Sequence, residues 1–151
     1  MHNNIKDVLS FGVSVEMNAK RTEMNRILKE FVIPKLREKG FRGSLPHFRR
    51  LRDEQTDLLT FQFSRYGGEF VVEVASAPAG QFETSWGKKI EPQKLTAHDI
   101  DSRLRLGTKA VGVQDYWFSY DGANARPMKE LAELVNYHIE TEAEAYWMKC
   151  I

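Results

Sequence analysis

The sequence predicts an α+β fold: an antiparallel meander sheet of about four or more strands, packed on one face by an N-terminal and a C-terminal helix. Three short apolar runs separated by turn residues predict neighbouring strands. Apolar residues at helical spacing before and after those runs predict the two helices. No repeat or low-complexity linker divides the 151 residues, so we expect one domain that spans residues 1–151.

The N-terminal residues 1–17 fit two interpretations. An alternation of apolar residues, typical of a strand, runs through Leu9, Phe11, Val13, Val15 and Met17. Gly12 and the terminal position instead favour a frayed arm. The sequence leaves a strand and an arm open.

A helix is predicted over roughly residues 20–39. Its apolar side chains recur at helical spacing at Met24, Ile27, Leu28, Phe31 and Leu36. Gly40 is placed as the residue that follows the helix end. Pro34 lacks a backbone donor, so we expect a kink or break near Val32.

The meander is predicted from three runs, which are His47 to Arg52, Asp57 to Tyr66 and Glu69 to Ser76. A two-residue turn at Gly67 and Gly68 would set Tyr66 opposite Glu69. That register places Phe63 opposite Val72 and Phe61 opposite Val74. A four-residue loop before Asp57 would set Phe48 opposite Phe61, so both turns gather the apolar side chains on one face.

The opposite face of the meander gathers polar side chains. In the same register His47, Gln62 and Glu73 form one row, and Arg49 lies beside Thr60 in the next. Convergent polar groups can form a binding floor, and a simple solvated sheet face explains the pattern equally. Both interpretations stay open.

The rest of the chain is less regular. Residues 77–114 are rich in turn residues, and their structure stays open. The aromatic stretch from Tyr116 to Tyr120 predicts a fourth strand. Apolar residues from Met128 to Tyr146 recur at helical spacing and predict the closing helix.

Charge is distributed unevenly although the net charge is only +1. Residues 35–52 carry seven basic residues against one glutamate, whereas residues 127–151 carry five glutamates against two lysines. The basic segment could bind nucleic acid, or it could balance the acidic last helix within the molecule.

Motifs that signal a nucleotide, a hydrolytic nucleophile or a zinc site are absent, so we expect no cofactor, no metal and no catalytic group. His138 and Glu142 have a spacing that suits a metal, yet two ligands alone are a weak signal. The single cysteine, Cys150, favours a reducing, cytoplasmic setting. No secretion signal or apolar membrane span is evident, so we expect no membrane association.

A set of short motifs resembles a known family. The motifs are Lys39-Gly40-Phe41, Phe48-Arg49-Arg50, Leu59 to Arg65, Arg103 to Gly107 and the strand around Trp117. In this order they resemble small bacterial proteins of the domain of unknown function family numbered 4304, over roughly residues 22–147. The resemblance implies a compact α+β domain without an established activity. Its matching positions include Arg49, Gln62, Arg103, Arg105 and Trp117.

The sequence favours a non-catalytic binding module that contacts a protein partner in an accessory, regulatory or toxin-neutralising role. Its predicted binding residues are His47, Arg49, Gln62, Glu73, Arg103, Arg105 and Trp117. One alternative is an enzyme or small-ligand binder with a site between residues 77–114 and the sheet, built from His47, Glu73, His98 and Asp101. Another is nucleic-acid binding by residues 35–52, and a homodimer also stays open.

Overall fold

The structure is a computed structural model, and it describes residues 5–108, 112 and 115–151, with residues 5–14 described by their backbone. A six-stranded antiparallel sheet is covered on one face by helices from both ends of the chain. The predicted α+β architecture is therefore confirmed.

The main sheet is a meander extended at both edges. Its strands are β1 (Arg42–Ser44), β2 (His47–Leu51), β3 (Gln55–Phe63), β4 (Glu69–Pro78), β7 (Leu104–Arg105) and β8 (Phe118–Ser119). The spatial order is β1-β2-β3-β4-β7, and β8 pairs with Glu69 and Phe70, the first two residues of β4. A separate ribbon joins β5 (Phe82–Glu83) to β6 (Lys89–Ile90). The predicted fourth strand is confirmed at its centre, in β8, whereas β1 and β7 were not predicted.

The helices lie at the two ends of the chain. They are α1 (Ile5–Phe31), α2 (Ile33–Glu38), α3 (Met128–His138) and α4 (Glu144–Cys150). The π-helical turn Ile139–Ala143 joins α3 to α4, and short 3-10 turns occupy Pro92–Lys94 and Ala97–Asp99.

Residues 5–17 belong to α1, so the predicted strand or arm is wrong for this part, and residues 1–4 lie outside the described residues. No proline interrupts the segment, and extending an existing helix costs little once it has nucleated. Side-chain contacts secure its middle: Met17 lies against Gly67, and Lys20 forms an ion pair with Asp121 at 3.0 Å.

The predicted break at Val32 is confirmed. Val32 separates α1 from α2, and Pro34 occupies the first turn of α2. Gly40 follows α2 with a φ of 97°, which a residue with a side chain rarely adopts. The amides of Gly40 and Phe41 donate to the carbonyls of Arg37 and Leu36, so the helix end is capped in a Schellman arrangement.

The register of the meander differs from the prediction by two residues at both turns. Phe63 pairs with Phe70 rather than Val72, and Phe61 pairs with Val72 rather than Val74. Phe48 pairs with Leu59 rather than Phe61. The loops cause the shift, because the first is shorter than predicted and the second is longer, at residues 52–54 and 64–68. A shift of two residues keeps every side chain on its predicted face.

The main core fills the space between the sheet and the helices. Its sheet side chains are fully buried and comprise Phe48, Leu59, Phe61, Phe70, Val72 and Val74. Met24 and Leu28 of α1 and Val135 of α3 pack on them. Burial of these side chains is the main stabilisation of the contact between helices and sheet.

A second, smaller core covers part of the opposite sheet face. Leu58, Ala75 and Ala77 give this part of the face an apolar surface. Residues 82–103, which we call the covering segment, lie over it and contribute Ile90, Leu95, Ala97 and Ile100. The sheet face that was predicted to be polar is therefore exposed only away from Leu58, Ala75 and Ala77. Of the stretch 77–114, residues 109–111, 113 and 114 lie outside the described residues.

A buried carboxylate ties the end of the sheet to the last helix. Asp57 has a fully buried side chain, and its Oδ2 accepts hydrogen bonds from Arg50 and Arg52 at 2.7 and 2.6 Å. Arg50 also forms an ion pair with Glu144 of α4 at 3.0 Å. Burial alone would lower the pKa of Arg50, yet hydrogen bonds to Glu144 and Asp57 raise that pKa above its usual value.

We predict that Asp57→Ala lowers the free energy of unfolding by about 3 kcal/mol, because Arg50, Arg52 and the buried amide of Gln55 each lose their hydrogen bond to this carboxylate. Urea denaturation followed by circular dichroism measures the change. The control is Glu23→Ala, which removes an exposed partner of Arg26 and should have a much smaller effect. Equal losses in the two variants would contradict the structural role of Asp57.

Candidate functional site

The predicted binding residues lie together on the sheet face opposite α1 and α3. Antiparallel pairing puts His47 opposite Thr60, Thr60 opposite Glu73, and Glu73 opposite Arg105. Arg103 and Trp117 reach the same row through contacts with Glu73 and Arg105. The structure thus brings residues from five separate parts of the sequence onto one surface.

The predicted rows are wrong by the same two residues as the register. Gln62 lies opposite Val71 rather than between His47 and Glu73, and Arg49 lies opposite Leu58 rather than Thr60. Gln62 is exposed, one row beyond the paired residues. The surface therefore divides into a paired part and an open part.

Glu73 is the centre of the paired part. Its carboxylate accepts a hydrogen bond from Arg103 at 2.8 Å and lies 3.9 Å from Arg105. Arg103 also donates to the carbonyls of His98 and Ile100 at 3.3 and 3.2 Å. These contacts fix the covering segment onto the sheet, so Arg103 has a structural role.

Two further predicted residues hold the same covering segment. Arg49 donates from Nε to the carbonyl of Leu95 at 2.9 Å. His47 Nδ1 lies 3.0 Å from the hydroxyl of Thr60, and its ring contacts the ring of His98 edge-on. Burial lowers the pKa of His47, and the nearby side chains of His98 and Arg49 lower it further.

The open part of the surface centres on Trp117, which is half-buried. A hollow of about 370 Å³ lies on one side and is lined by Gln62, Phe63, Ser64, Arg65, Tyr66, Glu69 and Trp117. A second hollow of about 410 Å³ lies on the other side, between Trp117, Glu69, Asp115, Tyr116, Ser119, Asn124, Arg126 and Leu131. We call these two hollows the Trp117 surface.

The guanidinium of Arg105 lies 5.5 Å from the centre of the Trp117 ring and 3.4 Å from Asp115. Sequence reasoning missed the aromatic and basic residues around this tryptophan, namely Tyr66, Arg65 and Arg126. Tyr66 is 74% exposed and follows Arg65 directly before two glycines. An aromatic residue beside a turn was the available signal, but the prediction assigned Tyr66 to a strand.

Three members of the alternative acid/base group, His47, His98 and Glu73, lie on this sheet face and are held by internal contacts. Glu73 is neutralised by arginines, and His47 is held by Thr60. The fourth member, Asp101, is exposed to solvent. The neighbouring Asp99 accepts hydrogen bonds from the backbone and hydroxyl of Thr96 and so caps the second 3-10 turn.

His138 and Glu142 form a buried pair across the π-helical turn. Nδ1 of His138 lies 2.6 Å from Oε1 of Glu142, which also accepts the amide of Gly107. Among the side chains that the structure describes, no three His, Cys, Asp or Glu residues gather as a metal site would require. The pair is thus a local contact between α3 and the loop at Gly107.

Part of the basic segment is neutralised within the molecule. Lys39 pairs with Glu140 at 2.8 Å, and Arg50 pairs with Glu144. Lys35, Arg37 and Arg42 lie on the surface, away from these acidic partners. The basic segment and the acidic last helix are therefore in contact over one half of the segment.

Within the described part of the chain, no helix combines the length and the apolar character that crossing a bilayer requires.

A comparison with protein families matches residues 32–149 to the family described as Domain of unknown function (DUF4304). The chain belongs to this family. The DUF4304 range covers the whole main sheet, the predicted binding residues and the C-terminal helices, whereas α1 lies outside it. The resemblance inferred from the motifs is confirmed. Neither the curated proteins nor the solved structures contain a match to the chain.

We predict that protonation of His47 lowers the free energy of unfolding as the pH falls. Because its folded pKa is below the ordinary value of 6.5, its contribution is complete above that pH and is lost as the pH falls towards the folded pKa. The free energy of unfolding, measured with urea at about pH 7.5 and about pH 5.5, should fall less in His47→Gln than in the parent protein. An equal fall in both proteins would show that His47 does not titrate in this way.

Proposed function

We propose that this DUF4304 protein is a non-catalytic binding module that contacts a protein partner through the Trp117 surface. The observation that carries the proposal is the combination of a half-buried tryptophan, an exposed tyrosine and arginines around two adjoining hollows. Tryptophan, tyrosine and arginine are the residues that contribute most often to binding energy at protein interfaces.

The contacts that hold the Trp117 ring in place also support the proposal. Arg105 contacts the Trp117 ring and is itself held by Glu73 and Asp115. Glu73 is in turn 2.8 Å from Arg103 on the covering segment. A side chain held in place before binding loses less conformational entropy when a partner arrives.

The shape of the surface favours a polypeptide over a small ligand. A single ligand-sized molecule is normally enclosed by one concave site. Here Trp117 stands between two hollows, each with its own arginine, Arg65 on one side and Arg126 on the other. An extended protein segment can lie across the ring and place side chains in both hollows.

The chemistry of the partner segment follows from the lining. The rings of Trp117 and Tyr66 can pack against apolar side chains, and the arginines can bind carboxylates. We place the interaction in the cytoplasm, because a chain with a single cysteine suits a reducing compartment. An accessory, regulatory or toxin-neutralising role suits such a module.

We predict that Trp117→Ala lowers the amount of partner protein recovered. Tagged protein is incubated with extract of the source cell at physiological salt, and recovered proteins are identified by mass spectrometry. The parent protein should enrich a specific protein, and Trp117→Ala should lower that enrichment about tenfold, as expected for loss of a central aromatic contact.

The matched control is Trp86→Ala, because Trp86 is 61% exposed and lies outside the Trp117 surface. The control should retain the partner, and circular dichroism should show that both variants are folded. Recovery of no specific protein by the parent, or equal recovery by both variants, would count against the proposal.

A further inference from the structure

A second surface lies on the helix-covered side of the sheet, between α2 and the connection from β1 to β2. It is a groove of about 320 Å³ with an apolar floor formed by Ile33, Leu45 and Phe48. Pro34 of α2 forms part of its wall. Ile33 is only 7% exposed and Phe48 is fully buried, so the floor is continuous with the main core. We call this feature the α2 groove.

The rim of the α2 groove is basic. Lys29 and Arg37 line it directly, and Lys35 and Arg42 are exposed on the adjoining elements α2 and β1. Arg37 donates one hydrogen bond to the carbonyl of Gly43, which holds its guanidinium against β1.

These basic residues differ from the others of the same segment. Lys39, Arg50 and Arg52 are neutralised by Glu140, Glu144 and Asp57. Among the side chains that the structure describes, Lys29, Lys35, Arg37 and Arg42 form no ion pair with a carboxylate. The only acidic residue of α2 is Glu38. The positive charge around the groove is thus left for an external partner.

We propose that the α2 groove binds an acidic segment of a protein partner, one that places an apolar side chain on the floor and carboxylates against the basic rim. Apolar burial supplies the attraction at the floor, and complementary charge fixes the orientation and speeds the encounter. The surface goes beyond the proposed function, because it lies on the other side of the sheet from Trp117.

Nucleic acid fits the groove less well than an acidic peptide does. Bases of a single strand bind by stacking on exposed aromatic rings. The one aromatic residue that lines the groove is Phe48, whose side chain is fully buried. An aliphatic side chain suits the apolar floor and the Pro34 wall better than a flat polar base does.

The test uses a fluorescein-labelled peptide of sequence Asp-Glu-Leu-Asp-Glu-Leu-Leu-Glu-Asp and a version in which every leucine is replaced by serine. Binding to the full chain is measured by fluorescence anisotropy at low and at physiological salt. The leucine peptide should bind at both salt concentrations and at least about tenfold more tightly than the serine peptide. Equal binding of the two peptides, or no binding of either, overturns the proposal.

Protein variants locate the site without disturbing the floor. The double variant Lys29→Glu with Arg37→Glu should weaken binding of the leucine peptide by about tenfold or more. A matched control with the same change in charge is Lys94→Glu with Lys149→Glu, since both lysines are exposed and lie outside the groove. Binding by the control should be unchanged, and an equal loss in both double variants overturns the proposal.

Two further measurements separate this surface from other possibilities. Single-stranded RNA that competes with the leucine peptide and binds more tightly at physiological salt would overturn the choice of a protein partner. The double variant at the groove should retain any partner recovered through the Trp117 surface. Failure of one surface in its own assay therefore leaves the assay of the other informative.

Discussion

The antiparallel pairing of β3 with β4 is the constraint on which the rest of the structure depends. It runs from Gln55 opposite Pro78 to Phe63 opposite Phe70, and successive side chains point to opposite faces. Phe61 is therefore committed to the helices, and Gln62 is committed to the other side. The Trp117 surface depends directly on this alternation, because Gln62 of β3 and Glu69 of β4 line it. The α2 groove depends on the same alternation in the neighbouring strand β2, whose Phe48 faces the helices.

Much of the fold could be predicted because hydrophobic periodicity is a local property of the sequence. The meander, the break at Val32 and the closing helix all follow from spacing and turn residues. The register could not be obtained in the same way, since loop length decides it and a loop of five residues through Gly67 and Gly68 looks like a two-residue turn. The faces were still predicted correctly, because the two errors were each an even number of residues.

The sequence could place the seven predicted residues on one sheet face, but it could not separate those held by internal contacts from those exposed around Trp117. Pattern and family resemblance indicated seven residues, and the structure places them on one surface. Some of these residues are already held by contacts within the molecule, and the partners in those contacts are distant in sequence. Arg49 meets Leu95 and Glu73 meets Arg103, and both partners lie in the stretch whose structure the sequence left open. Trp117 and Gln62 remain available because that stretch covers only one end of the sheet face.

The π-helical turn between α3 and α4 sets the direction of the whole C-terminal segment. The buried residues of this C-terminal segment recur at every fourth position, at Leu131, Val135, Ile139, Ala143 and Trp147. In a regular α-helix a step of four residues overshoots one full turn by about 40°, so this stripe would wind away from the sheet. The wider turn at Ile139–Ala143 offsets part of that rotation and keeps Trp147 directed at the carbonyl of Ala75. The underwound turn thus corrects the phase of the buried stripe, so that it continues to face the sheet as far as Trp147.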